Sequence, residues 1–224
     1  ILAPKVFFSD ISNKKYKTYM IMELLGSKTL KDLNNVDSYL ETFGKLCTTF
    51  HNIESKVQGR IVNDKIVPIS IKEINETSFK TNLNKLVEKN CFTKIEMDTI
   101  LEVHNTYFDS SKAVLCHMDL ALSNVLIDKS DSILGIIDWE WAGYYPPEFE
   151  LAKIELFFAI DKLDFNKFLK GYREISPVRN YEKMRKSFIL THLLQLLNLF
   201  KNITFEEDKY KIYKKYLDNF LFSN

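Results

Sequence analysis

The stretch HMDLALSN (residues 117–124), followed by GIIDWEWAGYYPPEFELAK (135–153), contains the polar residues that decide the fold of this chain. Asp119 and Asn124 lie five residues apart in a segment without a helical or strand pattern. Asp138 ends the β-prone run that follows. We expect Asp119 to lie on a loop.

A hairpin is predicted directly after this loop. The runs NVLID (124–128) and ILGIID (133–138) are short and rich in β-branched residues, and KSDS (129–132) between them is a turn signal. Such a hairpin returns Asp138 to the side of Asn124, so that both lie next to the loop that carries Asp119.

The three polar residues have the chemistry that phosphoryl transfer requires. That reaction needs little covalent help, but it needs a carboxylate that orients the attacking hydroxyl and oxygen ligands for Mg²⁺. Asp119 can serve as the carboxylate, and Asn124 and Asp138 can supply metal ligands. The bland alternative is that they are turn residues or helix caps.

The rest of the chain predicts an α+β fold that is mainly helical. Apolar residues recur at helical spacing in most of it, and short β-prone runs occur in the first 25 residues and in the middle. Helices are predicted over 38–55, 76–89, 93–108, 148–160, 164–172, 181–201 and 204–222. Further strands are predicted over 4–8, 19–24 and 113–116.

Composition argues against several classes of partner. Lys and Arg number 31, Asp and Glu number 30, and the formal net charge is +1, so the basic excess typical of nucleic-acid binders is missing. No apolar run reaches the ~20 residues of a membrane span. The three cysteines, Cys47, Cys91 and Cys116, form no CxxC pair, so we expect a reducing, cytoplasmic location and neither nucleic-acid nor membrane partners.

The paired motif resembles the aminoglycoside phosphotransferase and choline kinase family, whose pattern is H-x-D-x-x-x-x-N and then a hydrophobic strand ending in Asp. Protein kinases share the first half, but they continue with D-F-G and a long activation segment. Here Asp138-Trp139-Glu140 leads into helices instead. PKVFFSD (4–10), YMIMELLGSKTL (19–30) and LCTTFHNI (46–53) are also similar to family segments, so the resemblance covers most of residues 1–160.

The resemblance implies a role for each polar residue of the motif. Asp119 would be the catalytic base, and His117 would hold its loop by hydrogen bonds. Asn124 and Asp138 would ligate Mg²⁺. Met118 stands where the family usually has Gly, and we expect that difference to cost little.

The resemblance also implies where the nucleotide, ATP or GTP, would bind. Backbone groups of Glu23, Leu24 and Leu25 would form the hinge that contacts the base. Leu126 and Ile137 would line the floor of the base pocket.

By the same resemblance, the chain would be the C-terminal lobe of a kinase-like fold. Residues 1–30 would be the last strands and hinge of the N-terminal lobe, and 31–224 the helical lobe with catalytic loop 117–124. The family's Gly-rich phosphate loop and strand Lys have no counterpart here. We therefore expect the N-terminal lobe to be largely absent, with about 80–100 further residues upstream, the size of a small lobe.

Acceptor contacts are expected from the segment after the metal Asp. Glu140, Trp141, Tyr144, Tyr145 and Glu150 are candidate substrate residues, because a buried ammonium needs a carboxylate and a sugar or cation can stack on an aromatic ring. The resemblance favours an aminoglycoside-like, amino-alcohol or sugar acceptor. It leaves open antibiotic resistance or ordinary metabolism, and a bracing role for Glu150.

The sequence leaves two other functions open. The chain could be a pseudokinase, a nucleotide-binding sensor without transfer activity, if the phosphate-gripping lobe is truly missing. It could also be a plain helical interaction domain, which would require the paired motif to be a coincidence.

Overall fold

A computed structural model describes residues 4–10, 19–26, 28–104, 112–130, 132–178 and 180–222. Seven α-helices and ten β-strands occur in this part of the chain. The helices are α1 (Leu40–His51), α2 (Ile71–Glu88), α3 (Lys94–His104), α4 (Pro147–Asp161), α5 (Phe165–Arg173), α6 (Tyr181–Asn202) and α7 (Glu207–Phe222). The strands are β1 (Val6–Asp10), β2 (Tyr19–Met22), β3 (Lys28–Thr29), β4 (Glu54–Ser55), β5 (Gly59–Val62), β6 (Lys65–Pro68), β7 (Ala113–Cys116), β8 (Val125–Ile127), β9 (Ile133–Ile136) and β10 (Gly143–Tyr145).

The helices surround one apolar core, to which the long helix α6 contributes most of its length. Helix α6 packs against α2, α4 and α7, and α1 packs against α5. The α1–α5 crossing is close because of two glycines. A Cβ on Gly44 would lie 2.0 Å from the Phe168 carbonyl oxygen, and one on Gly171 would lie 2.0 Å from that of Glu41.

The predicted hairpin is confirmed. Strands β8 and β9 pair antiparallel, with Val125 opposite Ile136, and β3 adds to the other edge of β8. Val125 and Ile127 face the main core, whereas Leu126 points to the opposite face and lies outside that core cluster. The strand runs predicted near the start also pair, as the β1–β2 hairpin.

A second sheet was not predicted from the sequence. It contains five strands in the order β4-β7-β10-β5-β6. Strands β5 and β6 form a hairpin whose turn residues Asn63 and Asp64 have φ of 48° and 60°, the conformation that Asn and Asp tolerate best among non-glycine residues. This sheet places β10, which follows Asp138 in the chain, beside β7, which precedes the catalytic loop.

Two predicted helix boundaries were wrong. Helix α2 begins at Ile71 rather than 76, because Ser70 and Glu73 form a capping box at that point. Helix α1 ends at His51 rather than 55, because the next residues enter β4. The predicted end of α3 near 108 lies outside the described residues.

Among the helices in the described part of the chain, none combines the length and apolar composition needed to cross a bilayer.

Candidate active site

The loop between β7 and β8 is held from inside by His117. This side chain is fully buried, and its Nδ1 accepts a hydrogen bond from the Asp119 backbone N–H at 3.1 Å. The proton is therefore on Nε2, which donates to the Ile137 carbonyl oxygen at 2.8 Å. One imidazole thus ties the loop to the end of β9, beside Asp138.

Met118 adopts a left-handed backbone conformation, with φ of 67°. A non-glycine residue there costs about 1–2 kcal/mol. That cost is the physical reason why glycine suits this position, so the expectation that Met118 costs little was too lenient. The conformation is held by hydrogen bonds from helix α4: Glu150 accepts from the Met118 N–H, and the Lys153 ammonium donates to the Met118 carbonyl oxygen.

Glu150 is a buried anchor of this loop. Its other carboxylate oxygen lies 2.7 Å from His51 Nε2, and His51 Nδ1 lies 2.7 Å from the Tyr172 hydroxyl. Burial alone would raise the pKa of Glu150, but the hydrogen bond and charge of His51 outweigh it and lower that pKa below its usual value. The carboxylate therefore stays ionised inside the protein, with its oxygens facing Met118 and His51.

Asp119 lies at the surface of the loop and is paired with a lysine. Lys153 Nζ is 3.0 Å from Asp119 Oδ1, and the two side chains are 13% and 37% exposed, respectively. Asn124 Nδ2 donates to the Asp119 backbone carbonyl oxygen at 2.8 Å. Asp119 Oδ2 has no hydrogen-bond partner among the described residues, so it is free to accept a proton from a bound hydroxyl.

Asn124 and Asp138 lie next to each other. The Ile137 N–H donates to the Asn124 carbonyl oxygen at 3.0 Å, which extends the β8–β9 ladder by one pair. Since the Asn124 amide nitrogen is used by Asp119, its Oδ1 is left as an acceptor. Asp138 is exposed, has no described partner and has a φ of 69°, a conformation that often marks functional sites. Amide and carboxylate oxygens suit Mg²⁺, so the donor set fits that ion.

The hinge residues predicted for the nucleotide link the β1–β2 hairpin to β8. Glu23 continues the β1–β2 pairing, its N–H donating to the Lys5 carbonyl oxygen at 2.8 Å, and Leu24 is exposed. The chain then approaches β8 so closely that a Cβ on Gly26 would lie 2.9 Å from the Ile127 carbonyl oxygen. The half-buried Leu25 precedes this contact.

Leu126 and Ile137, the predicted floor residues, both lie outside the main core cluster, although Leu126 is only 8% exposed. Their role at the nucleotide base stays a prediction.

A cleft of about 540 Å³ opens beside Asp119. Its walls come from the second sheet, the catalytic loop and helices α2, α4 and α6, together with the segment that follows α6. The lining residues are Arg60, Ile74, Ser78, Asn82, Lys85, Met118, Asp119, Trp141, Tyr145, Phe149, Lys153, His192, Gln195, Leu196, Asn198, Leu199 and Ile203.

The structure brings two of the five predicted substrate residues to this cleft, Trp141 and Tyr145. Glu140 and Tyr144 are not among its lining residues, and Glu150 is buried beneath the catalytic loop. Neither carboxylate therefore lines this cleft, and their contact with an acceptor stays a prediction.

A family model supports the identification on sequence grounds. Residues 1–186 match the model of the phosphotransferase enzyme family, APH. The chain belongs to this family. It is a small-molecule phosphotransferase with a kinase-like fold. No curated protein sequence matches it significantly.

Solved structures of several small-molecule kinases share the fold. Aminoglycoside phosphotransferase APH(4)-Ia, in a ternary complex with AMP-PNP and hygromycin B, is 16% identical with a TM-score of 0.71, and the alignment covers 97% of this chain and 76% of that one. Choline kinase LicA from Streptococcus pneumoniae is 16% identical with a TM-score of 0.64, covering 98% and 75%. A putative fructosamine-3-kinase from Thermobifida fusca is 19% identical with a TM-score of 0.62, covering 95% and 73%.

This coverage contradicts the prediction that the N-terminal lobe is largely absent from the phosphotransferase chain. The alignment with APH(4)-Ia includes 97% of this chain and 76% of the other one. The division into residues 1–30 and 31–224 stays a prediction.

Sequence reasoning missed the three cations of the cleft, Arg60, Lys85 and Lys153, and several polar residues that include His192. Lys153 follows Glu150 by three positions on α4, so both lie on one face of the helix and reach the same loop. His192 is 1% exposed and donates from Nε2 to the Phe149 carbonyl oxygen at 2.9 Å. The i, i+3 spacing could have found Lys153, but no local signal marks His192.

The burial of His192 predicts an acid-sensitive fold. Burial, and then the nearby Lys153 charge, lower the pKa of His192 to about 3 from the ordinary value of 6.5. The unfolded chain therefore binds a proton that the folded chain excludes, and stability falls as the pH drops below 6.5. Between pH 7.5 and 5 we expect the wild type to lose about 2 kcal/mol more unfolding free energy than His192→Gln does. Urea titrations at both pH values measure this, and equal losses in the two proteins would contradict it.

Proposed function

We propose that this phosphotransferase moves the γ-phosphate of ATP or GTP to a hydroxyl of a small molecule bound in the cleft. The observation that carries the proposal is the position of Asp119. It borders the cleft with one carboxylate oxygen free. Asn124 and Asp138, whose side-chain oxygens can ligate a metal, are neighbours beside it.

Asp119 would act as the catalytic base. Its Oδ2 accepts the acceptor's hydroxyl proton as the new O–Pγ bond forms, and the bond from Pγ to the β–γ bridging oxygen breaks, which releases the nucleoside diphosphate. Lys153 holds Oδ1 at 3.0 Å, which fixes the direction of the free oxygen. Since the Lys153 ammonium also bonds the Met118 carbonyl oxygen, it orients the base and the loop together.

Asn124 and Asp138 would hold the metal. These two side chains would hold Mg²⁺, whose positive charge would offset the negative charge that develops during transfer. Because Asn124 also donates to the Asp119 carbonyl oxygen at 2.8 Å, it would fix the position of the metal ligands relative to the base. His117 would serve as the scaffold beneath both.

The nucleotide base would lie between the hinge and the hairpin. Backbone groups of Glu23, Leu24 and Leu25 would contact its polar edge, and Leu126 and Ile137 would form an apolar floor. The proposal is supported by the exposed hinge and by the exclusion of both floor residues from the main core. The solved complex of APH(4)-Ia with AMP-PNP supports a nucleotide co-substrate.

Hydroxylated amines and sugars are the first acceptors to test. The APH(4)-Ia complex contains hygromycin B, and the other similar structures are of choline and fructosamine kinases. Trp141 and Tyr145 can contact such a molecule from the cleft wall. A role in antibiotic resistance is part of this proposal, and so is a cytoplasmic location.

The test is acceptor-stimulated release of nucleoside diphosphate. The full-length protein is incubated with MgATP or MgGTP and a panel of aminoglycosides, choline, ethanolamine, sugars and sugar amines, with EDTA as the metal control. We expect release above the no-acceptor rate with at least one compound, lost in EDTA. Tight MgATP or MgGTP binding with no transfer to any hydroxyl compound would instead favour the pseudokinase alternative.

A further inference from the structure

The charges around the cleft indicate what kind of acceptor it takes. Among its lining residues there is one acidic side chain, Asp119, and there are three cationic ones, Arg60, Lys85 and Lys153. Polar but neutral groups and apolar side chains make up the rest. A cleft built for an ammonium group would need carboxylates that are not already engaged, because a desolvated cation must be paired.

The single carboxylate is already neutralised. Asp119 and Lys153 form an ion pair at 3.0 Å, so together they add no net charge to the cleft. Arg60 and Lys85 have no carboxylate within salt-bridge distance among the described residues. The net charge that a bound molecule meets is therefore positive, and it comes from Arg60 and Lys85.

Arg60 is held in place for binding. Its position on β5 is opposite Gly143 of β10, and its guanidinium lies 4.5 Å from the ring centroid of Trp141. Stacking on an aromatic face limits the motion of the planar group while leaving its N–H donors free. Such an arginine can hold a carboxylate or phosphate with two parallel hydrogen bonds.

Lys85 faces the same cleft from another wall. It lies in the last turn of α2, whereas Arg60 belongs to the sheet, so the two cations approach a bound molecule from different elements. The acidic residues after Asp138 do not offset them, because Glu140 and Glu150 do not line the cleft.

We infer that the acceptor is a hydroxyl compound that also carries an anionic oxygen group, a carboxylate or a phosphate, which Arg60 and Lys85 bind while Asp119 faces the hydroxyl. This inference rests on the proposed phosphotransfer. It replaces the expectation of a cationic acceptor with an anionic one. Transfer proceeds as in the proposed function, with the anionic group unchanged.

The experiment uses two series of related hydroxyl compounds whose members are neutral, cationic or anionic. One series is glucose, glucosamine, gluconate and glucose 6-phosphate, and the other is glycerol, 3-amino-1,2-propanediol, glycerate and glycerol 3-phosphate. Calorimetric Kd values are measured on the full-length protein with Mg²⁺ and AMP-PNP, and kcat/KM with MgATP or MgGTP. We expect anionic members to bind at least about tenfold more tightly than their neutral and cationic counterparts, since charge-assisted hydrogen bonds are worth that much. The carboxylate and phosphate arms show which group is preferred.

Variants separate this inference from the proposed function. Arg60→Gln and Lys85→Gln should each raise the Kd of the anionic compounds about tenfold to hundredfold, and that of the neutral ones by much less. Lys72→Gln, which removes an exposed lysine of α2 outside the cleft, should change neither. Asp119→Ala should abolish transfer and keep the anion preference.

Each outcome decides the matter. Anion-selective binding without transfer would retain the anionic site and overturn the proposed phosphotransfer. Transfer to neutral or cationic members with no anion preference would support the proposed phosphotransfer and overturn the anionic site. The inference is overturned if neither series shows anion-selective binding. It is also overturned if Arg60→Gln and Lys85→Gln bind the anionic compounds as tightly as the wild type does.

Discussion

Replacing Asp119 with alanine should lower kcat by about a thousandfold or more while the Kd of MgATP or MgGTP stays within about twofold of wild type. A positioned general base contributes about 10²–10⁴ to the rate, and the carboxylate also orients the hydroxyl for attack. The nucleotide would be held by the hinge, the hairpin and the metal ligands, none of which needs the Asp119 side chain. The loss should therefore fall on the chemical step.

The alanine variant also frees Lys153, so a matched control is needed. Asp119→Asn retains the shape and can still accept from the Lys153 ammonium, but it cannot take up the hydroxyl proton, and its kcat should fall almost as far. Asp98→Ala, which removes an exposed aspartate from α3, should leave kcat unchanged. Turnover in Asp119→Ala or Asp119→Asn above about a tenth of wild type would sink the base assignment.

Sequence alone could predict the elements whose signals are local. The β8–β9 hairpin has both strands and its turn within fifteen residues, so the proximity of Asn124 and Asp138 followed from pattern and turn chemistry. Most helices were found in the same way from the spacing of apolar residues. Five strands were missed, β3, β4, β5, β6 and β10, and each is only two to four residues long. Four of the five, β3, β4, β5 and β10, pair with strands far away in sequence, so no local signal marks them.

The site was predicted less completely because its remaining contacts are long-range. Lys153 meets Asp119 across thirty-four residues, and the Arg60–Trp141 stack joins β5 of the unpredicted sheet to the short 3-10 helix Trp139–Trp141 that precedes β10. Nearness in sequence was also misleading. Glu150 follows Asp138 closely, but the first turn of α4 directs it under the loop instead of into the cleft.

Removing the Glu150 carboxylate should cause the largest loss of stability among single changes at the site. Glu150→Ala would leave the Met118 N–H without its acceptor and the buried His51 Nε2 with only a weak contact to Cys47 Sγ at 3.8 Å. Met118 would also lose a hydrogen bond that holds its left-handed conformation. Breaking a buried pair by deleting one partner typically costs about 3–5 kcal/mol. That is a large share of the roughly 5–15 kcal/mol that stabilise an ordinary domain. Urea unfolding at pH 7 measures the difference.

The pH dependence distinguishes loss of a carboxylate from loss of packing. Because the folded-state pKa of Glu150 is below its ordinary value of 4.5, its ionised form stabilises the fold above that pH, and the benefit disappears as the pH falls through the folded pKa. The gap between wild type and Glu150→Ala should therefore narrow on acidification. Glu174→Ala, which breaks an exposed pair with Lys45, should change stability far less at every pH. A gap that is equally wide in acid would show that Glu150 stabilises the loop by filling space, and the charge-based account of the anchor would be wrong.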